Sequence, residues 1–390
     1  MKIRSLTAYH VRVPLKRAIK HASHVRSDSE NVIVCCELED GTTGYGEGVP
    51  REYVTGETIR SAIDLLRATD FASQLEDSTD FGEAVNLAER IQLKPVPGDE
   101  RGCLGNAARC ALEVAVLDAY GRHFGQPLVW IVRFLTPALF EAQDKVRYSG
   151  AITSARGLKL RLASLAFRMY GFRHMKVKVG IEGYDDAKRL RLVRRLLGRK
   201  VDVRVDANEA WQPEETVAHI RELAPYGISA VEQPVPHSCV GKLACIRREV
   251  DVPIMLDESL CSSRDAEQAV SQGTCDLFNL RLSKCGGFIA TLRLAQFARQ
   301  YGIGCQLGCQ VGETGILSAA GRHFASGVSG LRYIEGSYDR HLVEERLTVE
   351  DVTFGRGGWA PHLSGSGLGV QVDPQALRRI TVEVVSLLGS

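Results

Sequence analysis

The sequence predicts an α/β protein, a modified (β/α)₈ barrel of the TIM type preceded by an N-terminal α+β capping domain. Two observations support this prediction. From about Tyr148 onward, short β-like runs alternate with amphipathic helical segments, a rhythm that implies parallel strands joined by right-handed crossovers. Before that point, strand-like segments joined by a tight turn precede helical segments, as in a small α+β unit.

The first segment reads as the capping domain, which we place over residues 1–125. The run "NVIVCCELEDGTTGYGEG" combines an apolar strand, an Asp-Gly turn signal and a second short strand. Residues 57–70 and 103–122 have the three- and four-residue apolar spacing of helices. The C-terminal segment 355–390, with its strand-like "GVQVD", is expected to return to this domain.

The barrel is expected over residues 126–354. Six strand candidates are clear, "HMKVKVG", "VDVRVDAN", "ISAVEQP", "VPIMLDES", "DLFNLRLS" and "YGIGCQL", with weaker candidates at "RYSGAIT" and "LRYIEG". Eight strands would close a barrel. A doubly wound open sheet is the alternative.

Bulk composition narrows the class of protein. A net charge of +2 over 390 residues gives no reason to expect nucleic acid or an anionic membrane as a partner. No apolar run approaches the 18 or so residues needed to span a bilayer, so the chain reads as cytoplasmic. The 11 cysteines are scattered without C-x-x-C spacing, which favours buried free thiols over a metal or redox site.

Polar residues recur near the predicted strand ends. They are Lys178, Asp206, Glu232 and Asp257, at intervals of 28, 26 and 25 residues, each about one βα unit. Residues one unit apart lie side by side at the C-terminal mouth of a barrel, where active sites form. Alternation along the strands also turns the valines of "VDVRVDAN" toward the helices and its charged residues into the barrel.

Three carboxylates on consecutive strand ends repel one another unless a cation joins them. Oxygen-only ligands indicate a hard metal ion, with Mg²⁺ as the expected ion and Mn²⁺ as the alternative. The alternative is that these acids pair with barrel lysines and arginines. Lys178 has Lys176 two residues back on the same face, and a like charge there lowers the pKa of a lysine, as a general base requires. A metal-bound substrate carboxylate would lose its α-proton to give an enediolate.

The ordered set "KVKVG", "DANEAW", "EQP", "DES" and "SKCGG" resembles the enolase superfamily, specifically its muconate-lactonizing-enzyme subgroup within the mandelate racemase/muconate lactonizing enzyme family. The resemblance implies an enolase-like barrel and Asp206, Glu232 and Asp257 as Mg²⁺ ligands. It also implies Lys178 as the acid/base and Asn208 and Glu258 as partners of the ligands. Relatives are commonly homo-oligomers, which implies the same state here.

The resemblance further implies that two cap loops, about 17–29 and 50–57, close over a small carboxylate substrate. His21, Tyr53 and Thr55 are the candidate substrate residues in these loops. Glu313 and Glu335 fall where the seventh and eighth strands should end. They are expected either to shape the pocket or to pair with barrel cations.

The stretch "FNLRLSKCGG" departs from the family pattern. Familiar members carry a lysine about 24 residues after the third metal ligand, and that position here is Arg281. Strand parity also turns Arg281 inward and leaves Lys284 at the rim of the site. Because arginine is a poor proton acceptor, Arg281 is expected to bind charge rather than act as a second base.

The resulting expectation is a Mg²⁺-dependent lyase or cycloisomerase. Lys178 would abstract the α-proton of a small carboxylate in a one-base elimination, dehydration or cycloisomerisation. The alternative is a racemase or epimerase of an amino-acid derivative or dipeptide, with Lys284 or a perturbed Arg281 as the second base. A remote alternative is a non-catalytic barrel protein.

Overall fold

The computed structural model describes residues 1–20 and 25–389 of the chain. The predicted fold class is confirmed: an antiparallel capping sheet accompanies a curled sheet of eight parallel strands with helices around it. In the described part of the chain, no helix is both long and apolar enough to cross a membrane.

The capping sheet has four strands, all antiparallel to their neighbours: β1 (Ile3–Lys20), β2 (Val25–Leu38), β3 (Thr43–Gly48) and, from the end of the chain, β14 (Thr381–Leu388). Their spatial order is β14-β1-β2-β3. The helices that follow β3 are α1 (Glu52–Thr55), α2 (Ile59–Ala68), α3 (Phe81–Arg90), α4 (Asn106–His123) and α5 (Val129–Leu135).

A glycine stripe lets α4 lie directly on β3. Every second residue of β3 is glycine, and every fourth residue of α4 is alanine. A Cβ placed on Gly46 would lie 2.1 Å from the carbonyl oxygen of Ala111, and one on Gly48 would lie 1.9 Å from that of Ala107. Two residues of strand and four residues of helix advance by nearly the same length. The two small-residue patterns therefore stay in step along the contact.

The parallel strands are β5 (Gly150–Ile152), β6 (His174–Lys178), β7 (Asp202–Asp206), β8 (Ile228–Glu232), β9 (Ile254–Leu256), β10 (Leu277–Leu280), β11 (Gly304–Leu307) and β12 (Leu331–Ile334). They pair in sequence order. The Ser149 N–H donates to the Ile334 carbonyl at 2.8 Å and links the two edges of the sheet.

Helices alternate with these strands: α6 (Gly157–Tyr170), α7 (Asp186–Leu197), α8 (Pro213–Leu223), α9 (Leu243–Arg248), α10 (Ser263–Gln272), α11 (Phe288–Gln300) and α12 (Gly315–Gly327). After β12 come α13 (Asp339–Leu342) and α14 (Pro374–Ile380). A separate small ribbon pairs β4 (Lys145–Arg147) with β13 (Trp359–Pro361).

The barrel interior is layered. Ala230, Met255, Leu277 and Tyr333 form an apolar cluster separate from the helix-facing core. Each of them precedes by two residues a polar side chain, namely Glu232, Asp257, Asn279 or Glu335. Because side chains alternate along a strand, the apolar layer lies below the polar one. Arg204 is fully buried, with its guanidinium carbon 4.4 Å from the centre of the Tyr333 ring.

The C-terminal segment differs in one respect from expectation. "GVQVD" is not a strand: its Val372 makes an isolated bridge with Thr348, and the returning strand is β14, which pairs with β1. Alternating valines indicated a strand, but "GVQVD" lies directly before the Pro374 that opens α14. The domain boundaries near residues 125 and 355 stay predictions.

Candidate active site at the carboxyl ends of the strands

Strand register brings the predicted polar residues together. Lys178 lies opposite Asp206, and Asp206 lies opposite Glu232, on three adjacent strands. Asp257 follows β9 directly, and its N–H donates to the Gln233 side-chain oxygen at 2.9 Å. The three carboxylates are at most 1 % exposed, so a buried acidic arc lines this side of the mouth.

Lys176 neutralises part of that arc. Its Nζ lies 3.3 Å from Asp206 Oδ2, 3.4 Å from Glu232 Oε1 and 2.8 Å from Glu335 Oε2. Although burial acts to lower it, the carboxylates raise the pKa of Lys176 well above its ordinary value. Lys176 therefore stays protonated and acts as a fixed positive charge.

Lys178 differs from Lys176 in its contacts and in the direction of its pKa shift. Among the described residues its Nζ makes no hydrogen bond or ion pair, and the side chain is half-buried at the mouth. Burial lowers the pKa of Lys178, and the charge of Lys176 lowers it further. An unpaired amine with a lowered pKa suits a general base.

Arg281 lies across the barrel from Lys178, because β6 and β10 are four strands apart in an eight-stranded sheet. Its Nη2 contacts Asp257 Oδ2 and lies 3.9 Å from Glu232 Oε1, and its Nη1 donates to Gln310 Oε1 at 3.1 Å. Burial acts to lower the pKa of Arg281, but Asp257 and its acidic neighbours raise it above its ordinary value. The guanidinium is thus held as a cation.

The expectation that Lys284 lies at the rim is wrong. Lys284 is 1 % exposed, and its Nζ donates to the Asp257 carbonyl at 2.6 Å, to Asp257 Oδ1 at 3.0 Å and to the Asn279 carbonyl at 2.8 Å. Strand parity fails here because β10 ends at Leu280, and the turn that follows rotates Lys284 beneath the site. Burial acts to lower its pKa, but Asp257 raises it.

Two opposing cations therefore hold Asp257. Burial acts to raise the pKa of Asp257, but Arg281 and Lys284 lower it to about 2. Glu232 behaves in the opposite way, since burial raises its pKa to about 7 despite the nearby charge of Lys176. The acidic arc thus has one firmly ionised end and a middle that titrates near neutrality.

Asn208 and Glu258 connect the ends of β7 and β9, which lie on either side of β8. The Asn208 Nδ2 donates to Glu258 Oε1 at 3.3 Å, and the Asn208 N–H donates to Asp206 Oδ1 at 3.0 Å. Asn208 adopts a left-handed backbone conformation with φ of 43°, which asparagine tolerates better than most residues. Burial raises the pKa of Glu258 well above its ordinary value, and Asp257 adds to the effect.

Glu335 and Glu313 lie at the last strand ends. Glu335 pairs with Lys176 and with the buried Arg204. Burial acts to raise its pKa, but these two cations lower it. Glu313 accepts from the Gln310 N–H, and burial raises the pKa of Glu313 to about 8. Glu335 is therefore committed to barrel cations, whereas Glu313 stays neutral near pH 7.

The cap residues are less directly placed in the site. Thr55 is buried, and its hydroxyl donates to Glu57 Oε2 at 2.7 Å, so it braces the cap. Tyr53 packs against a small apolar cluster of Val54, Cys103 and Cys261. The predicted substrate residue His21 lies outside the described residues.

Sequence reasoning missed several amides around the acidic arc. Gln233 positions Asp257, Gln310 bonds Arg281, and the Gln306 side chain donates to Glu232 Oε2 at 3.5 Å. Alternation in "YGIGCQL" could have identified Gln306 as inward-facing. Gln310 follows the end of β11 in a loop, where no periodic pattern applies.

The donor chemistry of the arc fits a hard divalent cation. Glu258 Oε2 is buried and accepts no hydrogen bond from the described residues, and buried Asp206 Oδ2 has the ion pair with Lys176 but no hydrogen bond from them. All candidate ligands are carboxylate oxygens. In the described part of the chain, no three acidic, His or Cys side chains already converge as a metal cage. Lys176 and Arg281 contact these carboxylates instead.

This combination of fold and acidic strand-end site is that of a β/α-barrel enzyme. Residues 3–132 match the mandelate racemase/muconate lactonizing enzyme N-terminal domain, and residues 160–376 match the enolase C-terminal domain-like family. The chain belongs to the mandelate racemase/muconate lactonizing enzyme family of the enolase superfamily.

Individual relatives share most of the chain. It is 29% identical to the N-succinyl-L-Arg/Lys racemase of Bacillus cereus over 98% of both proteins. It is 30% identical to the hydrophobic dipeptide epimerase of Enterococcus faecalis over 84% of this chain and 87% of that protein. The solved dipeptide epimerase of Cytophaga hutchinsonii, in complex with Mg and D-Ala-L-Val, superposes with a TM-score of 0.84 at 25% identity, covering 99% of this chain and all of that one.

Proposed function

We propose that this protein is a Mg²⁺-dependent racemase or epimerase acting on an amino-acid derivative, either a dipeptide or an N-acyl amino acid. The observation that carries the proposal is the unpaired Lys178 amine, with its lowered pKa, beside a buried arc of three carboxylates. The racemase and epimerase relatives support this reaction class over the one-base elimination or cycloisomerisation that the sequence favoured.

The residues divide the chemistry between them. Asp206, Glu232 and Asp257 would hold Mg²⁺, which when bound stabilises negative charge on the substrate carboxylate as the α-proton leaves. Lys178 removes or returns that proton on one face of the α-carbon. Arg281 lies toward the other face, where it attracts the substrate carboxylate and must return or remove the proton for the configuration to invert.

A second candidate function rests on Arg281 itself. Asp257 keeps the Arg281 guanidinium protonated. Its neutral form, which could accept a proton, is therefore rare, and the charged form gives up a proton slowly on the face opposite Lys178. A reaction completed on the Lys178 face alone, by elimination or cycloisomerisation, avoids that step. The two candidates predict different products from the same first step.

Proton exchange in D₂O tests both candidates. Each stereoisomer of N-succinyl-lysine, N-succinyl-arginine and a panel of dipeptides and muconates is incubated with enzyme and Mg²⁺. Loss of the α-proton signal is followed by ¹H NMR, and configuration by chiral chromatography. Exchange with inversion supports the epimerase, whereas exchange with a rearranged or unsaturated product supports the second candidate.

Matched variants assign the base. Lys178→Ala should lower exchange at least about a thousandfold, in the range that removal of a general base costs. Lys200→Ala, an exposed lysine before the opposite end of β7, should leave exchange unchanged. Full activity in Lys178→Ala contradicts the proposal, and no exchange with any substrate favours the non-catalytic barrel. Self-association stays a prediction that light scattering can test.

A further inference from the structure

Two cysteines meet where the cap touches the barrel, away from the acidic arc. Cys103 precedes α4 in the cap, and Cys261 follows β9 in the barrel. The Cys103 thiol lies 3.7 Å from the Thr55 carbonyl oxygen, and the Cys261 thiol lies 3.8 Å from that of Val54. Both sulfurs therefore contact one turn of the cap, and the two cysteines pack with Val54 in a single apolar cluster.

The surrounding contacts fix this approach. Arg101 forms a two-pronged ion pair with Asp265, with N–O distances of 3.1 and 2.8 Å, and donates to the Glu258 carbonyl at 2.9 Å. The Cys261 N–H donates to the same Asp265 carboxylate at 2.8 Å. The Arg101–Asp265 ion pair therefore joins the cap segment that carries Cys103 to the barrel segment that carries Cys261.

The local chemistry activates one thiol. Burial acts to raise the pKa of Cys261, but a hydrogen bond from Cys103 and the charges of Lys284 and Arg101 lower it below its ordinary value. The same sulfur–sulfur hydrogen bond and burial raise the pKa of Cys103. A thiolate-prone sulfur beside a protonated partner is the arrangement of an attacking and a resolving cysteine.

We infer that Cys103 and Cys261 form a reversible disulfide on exposure to a peroxide, which links the cap to the barrel and regulates the proposed reaction. The Cys261 thiolate attacks one oxygen of H₂O₂ and becomes a sulfenic acid as hydroxide leaves. The Cys103 thiol then attacks that sulfur, an S–S bond forms, and the hydroxyl departs as water. Two thiols lose two electrons and two protons in total, and one peroxide becomes two waters.

The disulfide changes the turn that carries Tyr53. Oxidation replaces the two thiols by a disulfide, so the contacts of both sulfurs with the Val54 and Thr55 carbonyls change. The regulatory part of the inference rests on the proposed function, but bond formation does not. We expect activity to fall several-fold on oxidation and to return with dithiothreitol, and the melting temperature to rise by about 5 °C because a long loop is closed.

Trypsin mapping tests the bond independently of activity. Cleavage at the flanking arginines yields peptides 102–109 and 249–264, each with one cysteine. After treatment of the whole protein with H₂O₂, these peptides should be linked, with a mass lower by two hydrogen atoms. Cys103→Ser should lose both the link and the reversible inactivation, whereas Cys245→Ser, at an exposed cysteine, should keep both.

Each remaining outcome is decisive. Failure to link 102–109 with 249–264, or equal linkage among other cysteines, overturns the inference even if the enzyme is active. A linked protein with unchanged activity toward its substrate overturns the regulatory part. Should Cys103→Ser fold poorly, Cys103→Ala provides the same comparison.

Discussion

Replacement of Arg281 by lysine should change the stereochemical course of the reaction. Arg281 contacts the ionised Asp257, and two unit charges about 4 Å apart gain about 4 kcal/mol at an effective dielectric constant of about 20. That energy alone favours the protonated guanidinium by about a thousandfold. Arg281 should therefore transfer a proton only very slowly on the face of the α-carbon opposite Lys178.

Lysine in the same field would be neutral far more often. Its intrinsic pKa lies about two to three below that of arginine, so the neutral fraction at position 281 rises about 100- to 1,000-fold. One substrate stereoisomer presents its α-proton to Lys178. In D₂O, the wild type should exchange that proton for deuterium about a hundred times for each inversion. Arg281→Lys should bring that ratio close to one.

The assay measures exchange by ¹H NMR and inversion by chiral chromatography on the same samples. Arg293→Lys is the matched control, because Arg293 pairs with Glu89 at 2.9 Å on the outer surface. An unchanged ratio of exchange to inversion in Arg281→Lys, with Mg²⁺ binding retained, would refute the assignment of Arg281 as the slow group.

Other predictions concern charge in the barrel. Lys176→Met should lower the free energy of unfolding by about 3–5 kcal/mol, because three carboxylates lose a buried cation, and urea titration should show a smaller loss with Mg²⁺ than with EDTA. Because Glu313 has a raised pKa of about 8, it stabilises the fold below pH 4.5 and loses that contribution as pH rises through 8. Glu313→Gln should remove this pH dependence, which the pKa shift puts at about 5 kcal/mol. EDTA should abolish α-proton exchange, and Mg²⁺ should restore it; persistence of exchange would exclude the metal.

Much of the fold could be predicted from periodicity alone. Buried parallel strands show as short apolar runs, and crossover helices fix their spacing, so the ends of β6, β7 and β8 were located from intervals in the sequence. The same intervals identified Lys178, Asp206 and Glu232 as neighbours. Their catalytic and metal-binding roles stay predictions.

The errors come from places where periodicity stops. Lys284 was expected at the rim because alternation was extended past Leu280, where the chain leaves the strand. The role of Thr55 toward the substrate stays a prediction, and its contact with Glu57 within the cap depends on tertiary structure. Gln310 carries no charge and lies in a loop, so nothing in its local sequence marks it.

The pairing of β14 with β1 has a consequence for synthesis of the chain. The inner strand β1 runs from Ile3 to Lys20 and receives its second neighbour from residues 381–388. During translation, one edge of this strand therefore stays unpaired until residues 381–388 have left the ribosome. Unpaired strand edges promote aggregation, so loss of the last ten residues should reduce the soluble yield in cells more than it reduces the stability of protein that has already folded.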